Sequence, residues 1–233
     1  EVNAINDKEI SIAFVIYGTA SLDFYFYGPD LAYDEENDVY FSVFPIYEHT
    51  TYNKTIYGQL IDSEGELIEQ LIDEDGEKIS LEQYDRNKDK IYTGFSICDE
   101  GLNSFATLQE PSIAYDNFNK CFLLTWSQNY IVDGEEFFDI YAKTVKINKV
   151  DEGTYQIIRG ESFPISEVIE NDIVEKHHAC NPKVVYDSLN KRFLVVWAQH
   201  DNNGNGFDIY GQIVSDENLI GNKIEICKEP NDQ

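Results

Sequence analysis

Three stretches of this chain are near-copies of one another, and an internal repeat limits the fold more than any other property a sequence can show. They run GPDLAYDEENDVYFSVFPIYEHTTYNKTIYGQLI from Gly28 to Ile61, EPSIAYDNFNKCFLLTWSQNYIVDGEEFFDIYAKTV from Glu110 to Val145, and NPKVVYDSLNKRFLVVWAQHDNNGNGFDIYGQIV from Asn181 to Val214. From the leading proline (Pro29, Pro111, Pro182) to the isoleucine of an Ile-Tyr pair (Ile56, Ile140, Ile209) the steps are 27, 29 and 27 residues. This register predicts three units of one shape.

Each unit reads as three strands. Proline lacks an N–H and suits a strand entered from a loop, and a short apolar run ending in Tyr-Asp follows it. A polar turn then leads to FLLTW or FLVVW, β-branched and aromatic, too short for a helix and expected to be buried on both faces. After a Gly- and Asn-bearing loop, DIYGQIV alternates apolar and polar residues as a half-exposed strand does. The tyrosine of Tyr-Asp, the Trp or Phe closing strand two and the Ile-Tyr pair are expected to pack within one antiparallel sheet. Trp126 and Trp197, which end inner strands, are therefore read as core. Asp34, Asp116 and Asp187 follow tyrosine in every unit, which points to turn capping: an active site is made once, whereas a structural device is made in each repeat.

With Pro-x-Val-x-Tyr-Asp, Leu-Val-Val-Trp and Asp-Ile-Tyr-Gly-Gln, the chain resembles the repeats of bacterial and archaeal extracellular β-propellers, distantly similar to TolB-like and WD-type blades. The resemblance covers the three copies and implies an all-β, propeller-like fold of four to five antiparallel blades. A β-sandwich built from the same repeats is the alternative. Residues 1–233 are read as one all-β repeat domain, with 1–8 a flexible arm or linker. Ile79 to Gln109, with Tyr84-Asp85, is read as a degenerate copy, and ISIAFVIYG and FYFYG as an N-terminal hairpin. GELIEQLIDEDGEKIS, with turns at Gly65 and Gly76, fits a hairpin, and KINKVDEGTYQIIRGESFPIS two runs about an Asp-Glu-Gly turn. SEVIENDIVEKHHAC is the best helix candidate, and KIEIC reads as a fourth strand. An N-terminal hairpin that completes the sheet begun by KIEIC closes the molecule; on a neighbouring copy it gives a homo-oligomer or filament by strand sharing.

Charge narrows the partners. Forty-four acidic residues against 17 basic ones give a formal charge of -27 and a pI near 4.2, a field that disfavours nucleic acid and anionic membranes, whose capture needs Lys and Arg. Cations are the natural ligands. The 42% apolar and 14% aromatic content argues against disorder, and the length suffices to bury about 70–75% of the unfolded surface. No run approaches the roughly 18 apolar residues of a membrane span, so membrane insertion is not expected. Methionine is absent, which fits a removed leader or a portion of something longer; export is the simpler expectation, with an extracellular or cell-surface location. Cys98, Cys121, Cys180 and Cys227 contain no Cys-x-x-Cys, and both disulfides and free thiols are open readings. Asn53-Lys54-Thr55 is a sequon on an expected loop.

The candidate sites are few. Asp201-Asn202-Asn203-Gly204-Asn205-Gly206 matches the opening of a calcium loop, with Asp201, Asn203 and Asn205 at alternate positions. Gln212 stands where the closing Glu belongs, and Asp208 is the candidate substitute. A plain hairpin connection is the competing reading, although Asp133, Glu135, Glu136 and Asp139 occupy the equivalent loop of the second copy. His177 and His178, with His200 and His49, lack metal-ligand spacing and are read as surface histidines preceding a strand. With no Gly-x-Ser-x-Gly, phosphate-binding loop or His-Glu-x-x-His, no catalytic residue is assigned. Tyr47, Tyr52 and Tyr130, expected in loops, are candidates for stacking on sugar rings. The expectation is an exported, non-enzymatic structural, adhesive or assembly component of the cell surface or extracellular matrix. The alternatives are a carbohydrate-active enzyme of the glycoside hydrolase type and a glycan-binding module.

Overall fold

The computed structural model describes residues 28–47, 54–84, 90–92, 94–98, 107–166, 169–170, 173–174, 176–201, 206–215 and 217–228. All regular elements among them are strands: β1 (Asp30–Asp34), β2 (Val39–Tyr47), β3 (Lys54–Asp62), β4 (Gln70–Ile72), β5 (Glu82–Tyr84), β6 (Lys90–Tyr92), β7 (Phe95–Ser96), β8 (Leu108–Asp116), β9 (Cys121–Val132), β10 (Glu135–Asp151), β11 (Thr154–Arg159), β12 (Phe163–Pro164), β13 (Ile169–Glu170), β14 (Ile173–Val174), β15 (His177–Asp187), β16 (Arg192–Asp201), β17 (Phe207–Ser215) and β18 (Asn218–Cys227). The fold is all-β. The helix expected over SEVIENDIVEKHHAC is instead the short hairpin β13–β14 followed by the start of β15. Its β-branched Ile and Val residues favour extended backbone, and the neighbouring strands provide pairing that a lone helical turn would lack.

Each copy forms an antiparallel meander: β1-β2-β3, β8-β9-β10 and β15-β16-β17. A fourth strand completes each one at the same register. Tyr57 pairs Ser96, Tyr141 pairs Pro164 and Tyr210 pairs Glu225. The sequence signal for this strand is Phe95-Ser96-Ile97-Cys98, Phe163-Pro164-Ile165-Ser166 and Ile224-Glu225-Ile226-Cys227. Phe95–Ser96, in the segment read as a degenerate copy, thus closes the first sheet; the remainder contributes the pair β5–β6 and the first two residues of β8 among the described residues. The hairpin reading of Gly65 and Gly76 holds as two tandem turns, each glycine at positive φ (90° and 82°). The N-terminal hairpin and its strand sharing fall outside the described residues.

The repeated aspartate caps the first turn in all three units. Asp116 Oδ1 accepts the N–H of Phe118 (2.8 Å) and Asn119 (3.0 Å) while its Oδ2 accepts from Asn119 Nδ2 (2.9 Å). Asp34 with Asn37 and Asp187 with Asn190 repeat the arrangement. Each turn closes through a residue in the left-handed region, Asp38, Lys120 or Lys191 (φ 56°, 56° and 54°). Gln59 and Gln212 likewise share a role. Each buried side-chain amide donates to a carbonyl beside it and to one on the following turn (Leu60 and Ile68; Ile213 and Ile220).

Alternation then sorts the side chains onto two faces per sheet. Val39, Phe41, Ile56 and Ile97 of the first sheet meet Ile113, Phe122, Leu124 and Trp126 of the second in one core. Leu123, Ile140, Ala142 and Ile165, on the opposite face of the second sheet, meet Phe193, Val195 and Trp197 of the third in another. Both tryptophans are core, each stacked on the tyrosine of its Ile-Tyr pair (centroids 6.3 Å from Tyr141 and from Tyr210). No disulfide joins the four cysteines, and Cys98 and Cys121 are buried, so packing rather than cross-linking holds the sheets together.

Asp116→Ala removes the buried acceptor of two turn amides and of the Asn119 side chain, and should cost about 2–3 kcal/mol in urea unfolding. Asp187 sits in the same turn but is only half-buried, and Asp187→Ala should cost less. Equal losses would contradict a capping role graded by burial.

Candidate functional site

The joint between the second and third sheets gathers the most polar chemistry. β10 and β15 meet there through a parallel bridge, Phe138 to His178. This brings Asp139, Ser166 and His177 together, each nearly inaccessible (2%, 1% and 1% exposed). His177 is thus a buried strand residue, not a surface one. Its Nε2 lies 2.5 Å from Asp139 Oδ1, the same oxygen that accepts the Ser166 hydroxyl (2.9 Å). Ser166 Oγ in turn accepts the N–H of Ile140 (2.8 Å).

Serine, histidine and aspartate are therefore adjacent but in the wrong order for acyl transfer. A nucleophile must give its proton to the imidazole, with the carboxylate behind the ring. Here the carboxylate sits between the two and the hydroxyl points at it. The cluster ties the sheets together, and the His177 Nδ1 is buried without a hydrogen-bond partner. One cue in the sequence was the Phe-Asp-Ile-Tyr shared by the second and third copies, where the first has Thr55 bonded to the Cys98 carbonyl (2.8 Å).

Below it, an open cleft of about 260 Å³ separates the same two sheets, with Asp116, Thr144, Lys146 and Glu217 in its wall. Asp116 is committed to its turn, and Glu217 accepts from the Thr144 hydroxyl. Gly160 lets the backbone approach this pair closely: a Cβ there would lie 2.4 Å from Thr144 Oγ1 and 2.7 Å from Glu217 Oε1. Burial, with Asp116 alongside, pushes the Tyr186 phenol well above its ordinary value, and burial beside Asp34 does the same for Tyr115. Each phenol faces the preceding unit's aspartate without reaching hydrogen-bond geometry. Both stay protonated and pack against the apolar cores, Tyr115 between the first and second sheets and Tyr186 between the second and third.

Of the calcium candidates, Asn203 and Asn205 lie outside the described residues, and Asp201 ends β16 with only its backbone described. Asp208 is buried (8% exposed), and its Oδ1 has no hydrogen-bond partner. Among the described residues no group of three or more His, Cys, Asp or Glu could hold a metal. The acidic loop of the second copy is balanced internally: Lys176 bonds Asp133 (2.9 Å), Asn129 Nδ2 donates to Glu136 (2.8 Å) and Asp139 belongs to the cluster above. His178 rests on Phe137 and Phe138, and burial, aided by His200 and His177, pushes its pKa down.

The tyrosines divide differently from the expectation. Tyr130 lies in β9 rather than a loop, with its ring on Phe137 (5.7 Å) and its hydroxyl at the His177 main chain (3.4 Å). Tyr47 ends β2 with its side chain outside the described residues, and Tyr52 is also outside them.

His177→Ala should cost about 3 kcal/mol, because Asp139 stays buried with one donor fewer. A double-mutant cycle with Asp139→Ala should give coupling above about 1 kcal/mol, and additive losses would show that the pair is not joined.

No protein-family model matches the chain, and no curated protein matches it. Among solved structures it is similar to an N-acetylgalactosamine deacetylase from F. plautii, determined in complex with blood group B trisaccharide. There the identity is 15% and the TM-score 0.47, over 83% of this chain and 51% of that one. It is also similar to an endo-arabinase from Bacteroides thetaiotaomicron, at 12% identity and a TM-score of 0.47, over 90% of this chain and 65% of that one. This chain therefore spans less than two thirds of either.

Proposed function

We propose that the three sheets are consecutive blades of a propeller-like arrangement, and that the protein acts without chemistry of its own as a structural, adhesive or assembly component at the cell surface or in the extracellular matrix. The observation that carries this reading is the fate of the acidic side chains. Asp116, Asp139 and Glu217, which the repeats bring to the joint and the cleft, are each engaged by donors of the protein itself. Glycoside hydrolysis needs two carboxyl groups about 5–9 Å apart and free to reach a sugar. A count of four to five blades needs strands beyond the three sheets, since Phe95–Ser96 completes the first of them.

The strong acidity supports an exposed, solvated existence, and no helix is long and apolar enough to cross a membrane among the described residues. The second reading, a carbohydrate-active or glycan-binding protein, is favoured by the cleft, where Lys146 and Glu217 offer polar contacts beside apolar walls. Incubation with polysaccharides and N-acetylhexosamine oligosaccharides should release no product. Release that Glu217→Gln abolishes would overturn the non-enzymatic reading.

Calcium fits the same proposal. Asp208, at the start of β17, offers a buried carboxylate oxygen without a protein partner, and oxygen ligands suit a hard cation. Millimolar calcium should raise the melting temperature, because a cation bound only by the folded state stabilises it by mass action. Asp208→Asn should remove the rise. No change in melting between calcium and EDTA would retire calcium.

A further inference from the structure

The joint between successive sheets is built twice, and both halves of it are left open at the ends of the stack. The forward half is one face of each sheet, followed here position by position. Ala32 and Ala114 are packed into a joint, whereas Val185, the third of the series, is 58% exposed. Ile97 and Ile165 are buried and Ile226 is 51% exposed. Phe41 and Leu123 are buried and Leu194 is not fully covered.

The rear half shows the converse. Ile113 is buried while Leu31, its counterpart in the first sheet, is 60% exposed; Phe122 and Phe193 are buried while Tyr40 is 39% exposed. The aromatic pair on this face is nonetheless already formed in all three sheets: Tyr33–Tyr40, Tyr115–Phe122 and Tyr186–Phe193, with centroids 4.9, 4.8 and 5.1 Å apart. The first sheet thus presents a finished rear face and the third a finished forward face.

We propose that the forward face of the third sheet docks on the rear face of the first sheet in a second copy of this chain, continuing head to tail the joint that already unites the three sheets. This deepens the assembly reading above and rests on the equivalence of the blades. The occupant is a second copy because the complement of the open forward face is present on this chain: the rear faces that cover the first and second sheets are Ile113 with Phe122, and Val184 with Phe193, and Leu31 with Tyr40 is the third of that series. The first strands, β1, β8 and β15, add a polar continuation. Ser112 donates to Asp30 (2.8 Å) and accepts the Val184 N–H (3.3 Å). Lys183, next in that row, is exposed where the Asp30 of a second copy would arrive. Such a contact is heterologous, so it extends as a filament or closes as a ring. The joint is apolar while each copy carries -27, so added salt strengthens it by screening repulsion.

The test uses the full chain and two substitutions at exposed positions, Val185→Asp on the forward face and Leu31→Asp on the rear. Sedimentation of the unmodified protein should show mass rising with concentration, and more steeply at about 1 M salt, where the screening length falls to about 3 Å. Each variant alone should associate at least about tenfold more weakly, the cost of a charge at the centre of an apolar contact, with unchanged circular dichroism and melting. Mixed one to one, the variants should form a discrete dimer, because the mixture retains one intact face of each kind. A strict monomer at every concentration and salt overturns the proposal, as does a mixture that forms no dimer. Val185→Asp lowering the melting temperature of a monomeric protein also overturns it, since that face would then be covered from within the chain, residues 1–27 included. A monomer without glycan turnover sinks the docking alone, whereas turnover sinks the non-enzymatic reading and leaves the joint untouched.

Discussion

Face-to-face burial of one sheet on the next is the interaction on which everything else in this chain depends. A four-stranded meander has two faces, and one alone cannot bury enough apolar surface to be stable in water. The middle sheet solves this from both sides: Phe122, Leu124 and Trp126 go one way and Leu123 and Ile140 the other. With that sheet covered on both faces, the tyrosine of each later unit is driven toward the aspartate of the one before, and the turn aspartates become buried acceptors in the first two copies.

The same packing explains where the polar groups ended up. Carboxylates abundant enough to suggest catalysis are consumed by construction: turn amides hold Asp34, Asp116 and Asp187, while His177 and Ser166 hold Asp139. Buried polar groups need partners, and a fold that closes its joints with Asp, Ser and His has spent those residues on alignment. Lys143 shows the rule in a third form. It stands where the other copies have Gln59 and Gln212, is fully buried, and reaches across the joint to the Ile97 carbonyl of the first sheet's outer strand (3.4 Å).

Much of this was legible in the residues. Strand identity, the capping aspartates and the buried tryptophans follow from local pattern, because alternation and turn chemistry act over a few residues. KIEIC is legible as the fourth strand of the third copy, but its equivalents in the first two copies are harder to see. Phe95–Ser96 lies more than thirty residues past its partner Tyr57, and its Phe-x-Ile-Cys signature is too short to stand out without the pairing. His177 was misplaced for a related reason. A histidine ahead of a strand is ordinarily solvated, and only the parallel bridge from Phe138 to His178 carries it beneath the surface. Tyr130 looked like a loop residue because β9 continues to Val132, past the point where its apolar run ends.

Amide hydrogen exchange in dilute solution measures the central claim, that the middle sheet is covered on both faces and the third on one. Amides of Leu123 to Ser127 should exchange most slowly in the molecule, and those of Leu194 to Ala198, at equivalent positions, measurably faster. Equal protection of the two strands would contradict a stack with an open end and would mean that something already lies on the third sheet.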